Sequence, residues 1–87
     1  MRVQVEVVCA PHPREEIEAA LRAAGKQLAS RADSVSVQVR EGQRLTAVLE
    51  FEMRRAAQYK VVGDIATTVK EWAWEFYEDI TIRFLME

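Results

Sequence analysis

The sequence predicts an α+β fold, a βαββαβ plait in which four antiparallel strands form one sheet and two helices cover one of its faces. Three observations predict it. Apolar residues alternate with period two in four segments, they recur with the helical period in two others, and the segments follow in the order strand, helix, strand, strand, helix, strand. Two βαβ halves with right-handed crossovers interleave into a sheet of order 4-1-3-2. Eighty-seven residues suit one small domain, residues 1–87, with a single core.

In residues 2–10, Val3, Val5, Val7 and Cys9 occupy one face and Arg2, Gln4, Glu6 and Val8 the other, the pattern of a half-buried strand. Ala10-Pro11-His12-Pro13 breaks it. Pro13 suits the first helical position, where its missing N–H has no partner to lose. Ile17, Leu21, Ala24 and Leu28 then mark a helix to about Ser30, with Glu15 and Glu16 in its first turn and Lys26 near its end, as the helix dipole favours.

A hairpin follows. Val35, Val37 and Val39 face inward from a strand spanning residues 33–40, and Glu41-Gly42-Gln43 forms the turn. Leu45, Ala47, Leu49, Phe51 and Met53 face inward from the return strand, residues 44–53. The second helix is expected from near Ala56, with Gly63 as a weak point in its interior. Its expected core stripe is Val61, Ile65, Val69, Trp72 and Phe76. Ile80, Ile82, Phe84 and Met86 alternate in a last strand.

Residues 71–76, EWAWEF, fit two readings. As a strand, Trp72, Trp74 and Phe76 share a face and a fifth strand results. As a helix, Trp72 belongs to the core stripe and Trp74 is turned about 200° away. The helix is favoured, because the 3.6 period holds from Val61 to Phe76 and Glu78-Asp79 is a poor hairpin turn. Trp74 then lies beside Lys70 and near Tyr77 and Tyr59 on the flank opposite the sheet, with an acidic line of Asp64, Glu71, Glu75 and Glu78 next to it. Acidic residues near a helix C-terminus oppose its dipole unless a cation meets them.

This element order resembles the ferredoxin-like plait over the whole chain, as a pattern of elements that carries no functional residues. Signatures of families with this fold are missing. The open-face positions of the two central strands are Gln4, Glu6, Val8, Thr46, Val48, Glu50 and Glu52, not the aromatic platform of an RNA-recognition domain. Cys9 has no second cysteine with which to form the Cys-x-x-Cys pair of a metal chaperone. The first loop has no glycine, unlike the phosphate-cradling loop of acylphosphatases or that of ACT-type domains.

Lys and Arg total 12 against 14 Asp and Glu, a net charge of −2, which provides no general attraction to nucleic acid or anionic lipid. No stretch approaches the length of a membrane span. The N-terminal strand lacks a signal-peptide core, and the single cysteine fits a reducing, cytoplasmic setting. Cys9-x-x-His12 could pair a thiol with a base or supply half a metal site. The inward phase of Cys9 and the prolines around His12 favour a buried thiol and a turn residue. Arg54, Arg55, Lys60 and Arg31 gather near the start of the second helix, a candidate anion site or a solvated basic edge.

No catalytic set, metal cluster or cofactor motif emerges. The sequence therefore points to a non-enzymatic interaction or regulatory module, a homo-oligomer or the binder of a protein partner, with Trp74, Tyr59, Tyr77 and Lys70 as the candidate partner-binding residues. Association could also use an outer apolar line of Val8, Val48 and Leu85, or the edge strands themselves. The alternative is an anion-binding protein or enzyme whose site forms on oligomerisation, with Glu6, Glu50 and Glu52 facing Arg83 and Arg40.

Overall fold

The computed structural model describes residues 2–28, 35–52 and 58–85, with the backbone alone described for 58–61. The elements are β1 (Arg2–Cys9), α1 (Arg14–Leu28), β2 (Ser36–Arg40), β3 (Leu45–Glu52), α2 (Gln58–Ala73) and β4 (Tyr77–Leu85). The sheet is fully antiparallel in the order β2-β3-β1-β4, which is the order the interleaved halves require. The starts of β2 and α2 expected from sequence, and Met53 and Met86, lie outside the described residues.

The period-two alternation becomes burial directly. Val3, Val5 and Val7 of β1 are fully inaccessible, as are Ala47 and Leu49 of β3, and Phe51 is nearly so. They meet Ile17 and Leu21 of α1 and Ile65, Val69 and Ala73 of α2. No charged or polar side chain is buried among the described residues, so the core is held by apolar burial and packing. Pro13 acts one position earlier than expected: its carbonyl accepts the first helical bonds, from Glu16 and Ile17 N–H at 3.1 and 3.2 Å, and helical geometry begins at Arg14. Gly25 sets how closely α1 can lie on the sheet. A Cβ there would stand 2.5 Å from Val35 Cγ1 and 3.0 Å from Leu49 Cδ1.

The helices divide the sheet unequally. α1 covers β2 and β3, while α2 packs mainly on α1 and only lightly on β4. As a result Ile80, Ile82 and Phe84, which alternate toward the helices as expected, are only half-buried.

The open face is polar, and its register corrects one expectation. Successive rows across the sheet are Arg40, Thr46, Val8, Asp79; then Gln38, Val48, Glu6, Thr81; then Ser36, Glu50, Gln4, Arg83; then Glu52, Arg2, Leu85. Leu85 stands two rows from Val48 and three from Val8, so no apolar line forms. Arg40 is likewise two rows from Glu50. The Gln4 amide donates to Glu50 Oε1 at 2.9 Å, a cross-strand pair typical of a wet sheet face.

Candidate interaction surface

The chain around residues 71–76 divides into three parts. α2 ends at Ala73, residues 74–76 form a turn, and β4 begins at Tyr77, three residues before the expected start. Neither a helix through Phe76 nor a fifth strand forms. The turn closes with Phe76 N–H donating to the Ala73 carbonyl at 3.0 Å. It is tied to the end of β1 by Ala10 N–H donating to the Phe76 carbonyl at 2.7 Å. The Phe76 ring is buried, and His12 packs on it with ring centroids 5.0 Å apart.

Trp72 is not a core residue. It is 47% exposed, and its neighbour Ala73 is fully buried. The buried stripe of α2 steps by four, Ile65 to Val69 to Ala73, and reaches the sheet with a methyl group where the chain is about to turn. Trp72 lies about 100° round the helix from that line, and about 160° from Lys70, so it leaves α2 on the side away from β4. Trp74, in the turn, is 70% exposed.

Between α2 and β4 the light packing leaves an open groove of about 420 Å³. Val62, Ala66 and Lys70 of α2 form one wall. Tyr77, Ile80 and Ile82 of β4 face them, with Glu78 and Asp79 completing the lining. Two of the four candidate partner-binding residues, Lys70 and Tyr77, thus share one groove between α2 and a sheet strand, not a flank opposite the sheet as expected, because Tyr77 already belongs to β4; Trp74 sits in the turn joining their elements. The side chain of Tyr59 lies outside the described residues. So do Arg31, Arg54, Arg55 and the side chain of Lys60, the candidate anion site.

The acidic line is broken up. Glu78 accepts from Arg44 at 2.8 Å, across the end of β1, and Glu75 lies 3.9 Å from His12 Nε2. His12 also bonds Glu16 at 3.1 Å, so it anchors the turn to the first turn of α1. Cys9 is buried and its thiol donates to the Val7 carbonyl at 3.5 Å. Burial, the largest influence, pushes this thiol above its ordinary range. The Glu78 charge raises it further, and a backbone hydrogen bond at Ala47 opposes both. The protonated form is a poor nucleophile. Among the described residues no three His, Cys, Asp or Glu side chains are grouped to hold a metal, and no helix is long and apolar enough to cross a membrane.

The two edges of the sheet differ. On β2, five residues long, Arg14 Nη2 donates to the Val39 carbonyl at 3.0 Å and so occupies part of the free edge. β4 is nine residues long, and the exposed Ile80 N–H is met, among the described residues, only by the carboxylate of the preceding residue, Asp79, at 2.9 Å.

No family model matches the chain, and no curated protein does. Solved structures do. The chain is similar to the de novo designed protein Foldit4 (TM-score 0.59, 13% identity, covering 100% of this chain and 99% of that one). It is also similar to the designed protein Ferredog-Diesel (0.56, 16% identity, 97% and 85%). A third match is a dimeric ferredoxin-like protein from an uncultured marine organism (0.54, 16% identity, 99% and 88%). At such identities the likeness is one of fold. The chain has a ferredoxin-like fold.

Proposed function

We propose that this chain is a non-enzymatic interaction or regulatory module that works as a homo-oligomer, a dimer in its simplest form, through the margin formed by α2, the 74–76 turn and β4. One observation carries the reading: the helix-facing side of edge strand β4 is left half open, while the equivalent side of β1 is fully covered. Half-open apolar side chains beside an exposed tryptophan are the composition of a protein-binding surface. Lys70 and Tyr77 in the groove and Trp74 in the turn are its anchors, with Tyr59 as a further member. A dimeric ferredoxin-like protein among the structural neighbours is an example of this fold self-associating. The acidic open face, with Glu6, Glu50 and Glu52, favours a protein partner over nucleic acid. The free, buried Cys9 fits a reducing compartment such as the cytoplasm.

Substitution of Trp74 by Ala tests the reading. The variant is expected to keep its far-UV circular dichroism and thermal midpoint, because the side chain is exposed, and to raise the dimer dissociation constant about tenfold or more, the effect of truncating a hot-spot aromatic. Unchanged association would remove Trp74 from the interface. Unfolding would mean that the indole serves its own chain.

A further inference from the structure

Resting on the self-association reading, we propose that the partner is a second copy of this chain and that the two copies join by antiparallel pairing of their β4 strands about a two-fold axis through Thr81, making one continuous eight-stranded sheet.

A strand edge with unpaired N–H and C=O groups is completed by another strand, and main-chain hydrogen bonding requires no particular sequence from it. On β4 that edge faces solvent at Ile80, whose N–H makes do with the Asp79 carboxylate. By alternation the outward backbone groups are those of Ile80, Ile82 and Phe84. The opposite edge of the sheet is shorter and partly occupied by Arg14.

The sequence of β4 selects a second copy and a register. Charges on an edge strand ordinarily discourage pairing, because like charges meet. Here Asp79 and Arg83 are of opposite sign and stand two residues to either side of Thr81, on the open face. Antiparallel pairing centred on Thr81 places each Asp79 opposite the partner's Arg83, twice per dimer. It sets Ile80 opposite Ile82 on the helix side, also twice, so the apolar floor of each groove continues across the junction. Shifting the axis to Ile82 sets Asp79 against Leu85 and Arg83 against Thr81; shifting it to Ile80 sets Asp79 against Thr81. Neither pairs the charges. Within its own chain neither residue forms an ion pair with another described residue, so the pairing breaks no bridge among the described residues. The Ile80 N–H passes from Asp79 to the partner's Ile82 carbonyl, which frees the carboxylate for Arg83.

The register also makes Thr81 its own neighbour. With the backbone groups of Ile80 and Ile82 exchanging hydrogen bonds, the two Thr81 residues form a non-hydrogen-bonded pair with Cα atoms about 4.5 Å apart, within reach of a disulfide.

Two experiments on the full chain test this. Arg83→Asp and Asp79→Arg, each alone, are expected to raise the dissociation constant about tenfold or more, since two like-charge pairs replace two opposite ones. The double variant D79R/R83D is expected to recover most of the wild-type value. Circular dichroism checks that each variant folds, and the recovery separates an interface effect from a folding defect. Thr81→Cys, oxidised under native conditions, is expected to give a covalent dimer, while the wild type with its buried Cys9 gives none. A wild-type dimer that tolerates both single reversals, or that does not crosslink through Thr81→Cys, would overturn the strand pairing and leave self-association standing. A wild-type chain that is monomeric throughout would overturn both.

Discussion

Two glycines and two aromatic residues show how little residue type alone decides. Gly25 and Gly63 both lie in helices, where Ala is intrinsically favoured by about 1 kcal/mol. At Gly63 an added Cβ meets nothing within 4 Å, so Gly63→Ala should stabilise the protein by close to that amount. At Gly25 the new methyl would overlap the side chain of Val35 and touch the fully buried Leu49. Overpacking of this kind costs about 1–3 kcal/mol, which outweighs the helical gain, so Gly25→Ala should destabilise. Urea unfolding of the two variants should show midpoints displaced in opposite directions. The aromatic pair behaves similarly: Phe76→Ala removes a buried ring and should cost about 3–5 kcal/mol, whereas Trp72→Ala, at a half-exposed position, should cost a small fraction of that.

Cys9 adds a pH dependence whose sign follows from its burial. The folded state holds the thiol protonated above its ordinary value of 9.0, so on raising the pH the unfolded chain loses its proton first. The contribution to stability is complete below about pH 9 and is lost as the pH climbs through the folded-state value. Wild type minus Cys9→Ala stability should therefore fall on the alkaline side, and a thiol-alkylating reagent should react slowly with the native protein. Fast alkylation would place Cys9 at the surface.

At the scale of elements, alternation was a sufficient guide to the presence and facing of all four strands, though not to the start of β4 at Tyr77, because in a one-sided sheet every second residue must be apolar, and the valines of β1 and β2 leave no other phase. The helix end was not legible in the same way. A periodicity argument gives weight to large apolar residues, and Trp72 displaced Ala73 from the stripe although only Ala73 sits on the step of four from Val69. The tie between the Phe76 carbonyl and Ala10, which ends the helix, is made by residues 66 positions apart and leaves no local trace. Lys70 and Tyr77 could be named from the sequence as a flank pair, but not the groove they share. Its width depends on α2 leaning toward α1, a matter of helix-to-helix packing. The outer line of Val8, Val48 and Leu85 failed for a related reason: facing direction is readable from parity, whereas row depends on register across strands.

For the whole molecule, the sheet has one edge partly occupied by Arg14 and one left long and open, and the helical layer leaves its gap beside the open edge. Both features fall on β4, the strand whose charges are placed to match a second copy of themselves. A net charge of −2 is too small to oppose such an assembly strongly at physiological salt. Sedimentation equilibrium of the wild-type chain over a broad concentration range is the most direct measurement of this picture. A reversible dimer whose mass falls toward that of the 10.0 kDa monomer on dilution is the expected result. A single monomeric species at every concentration would show that the α2–β4 margin does not serve for self-association.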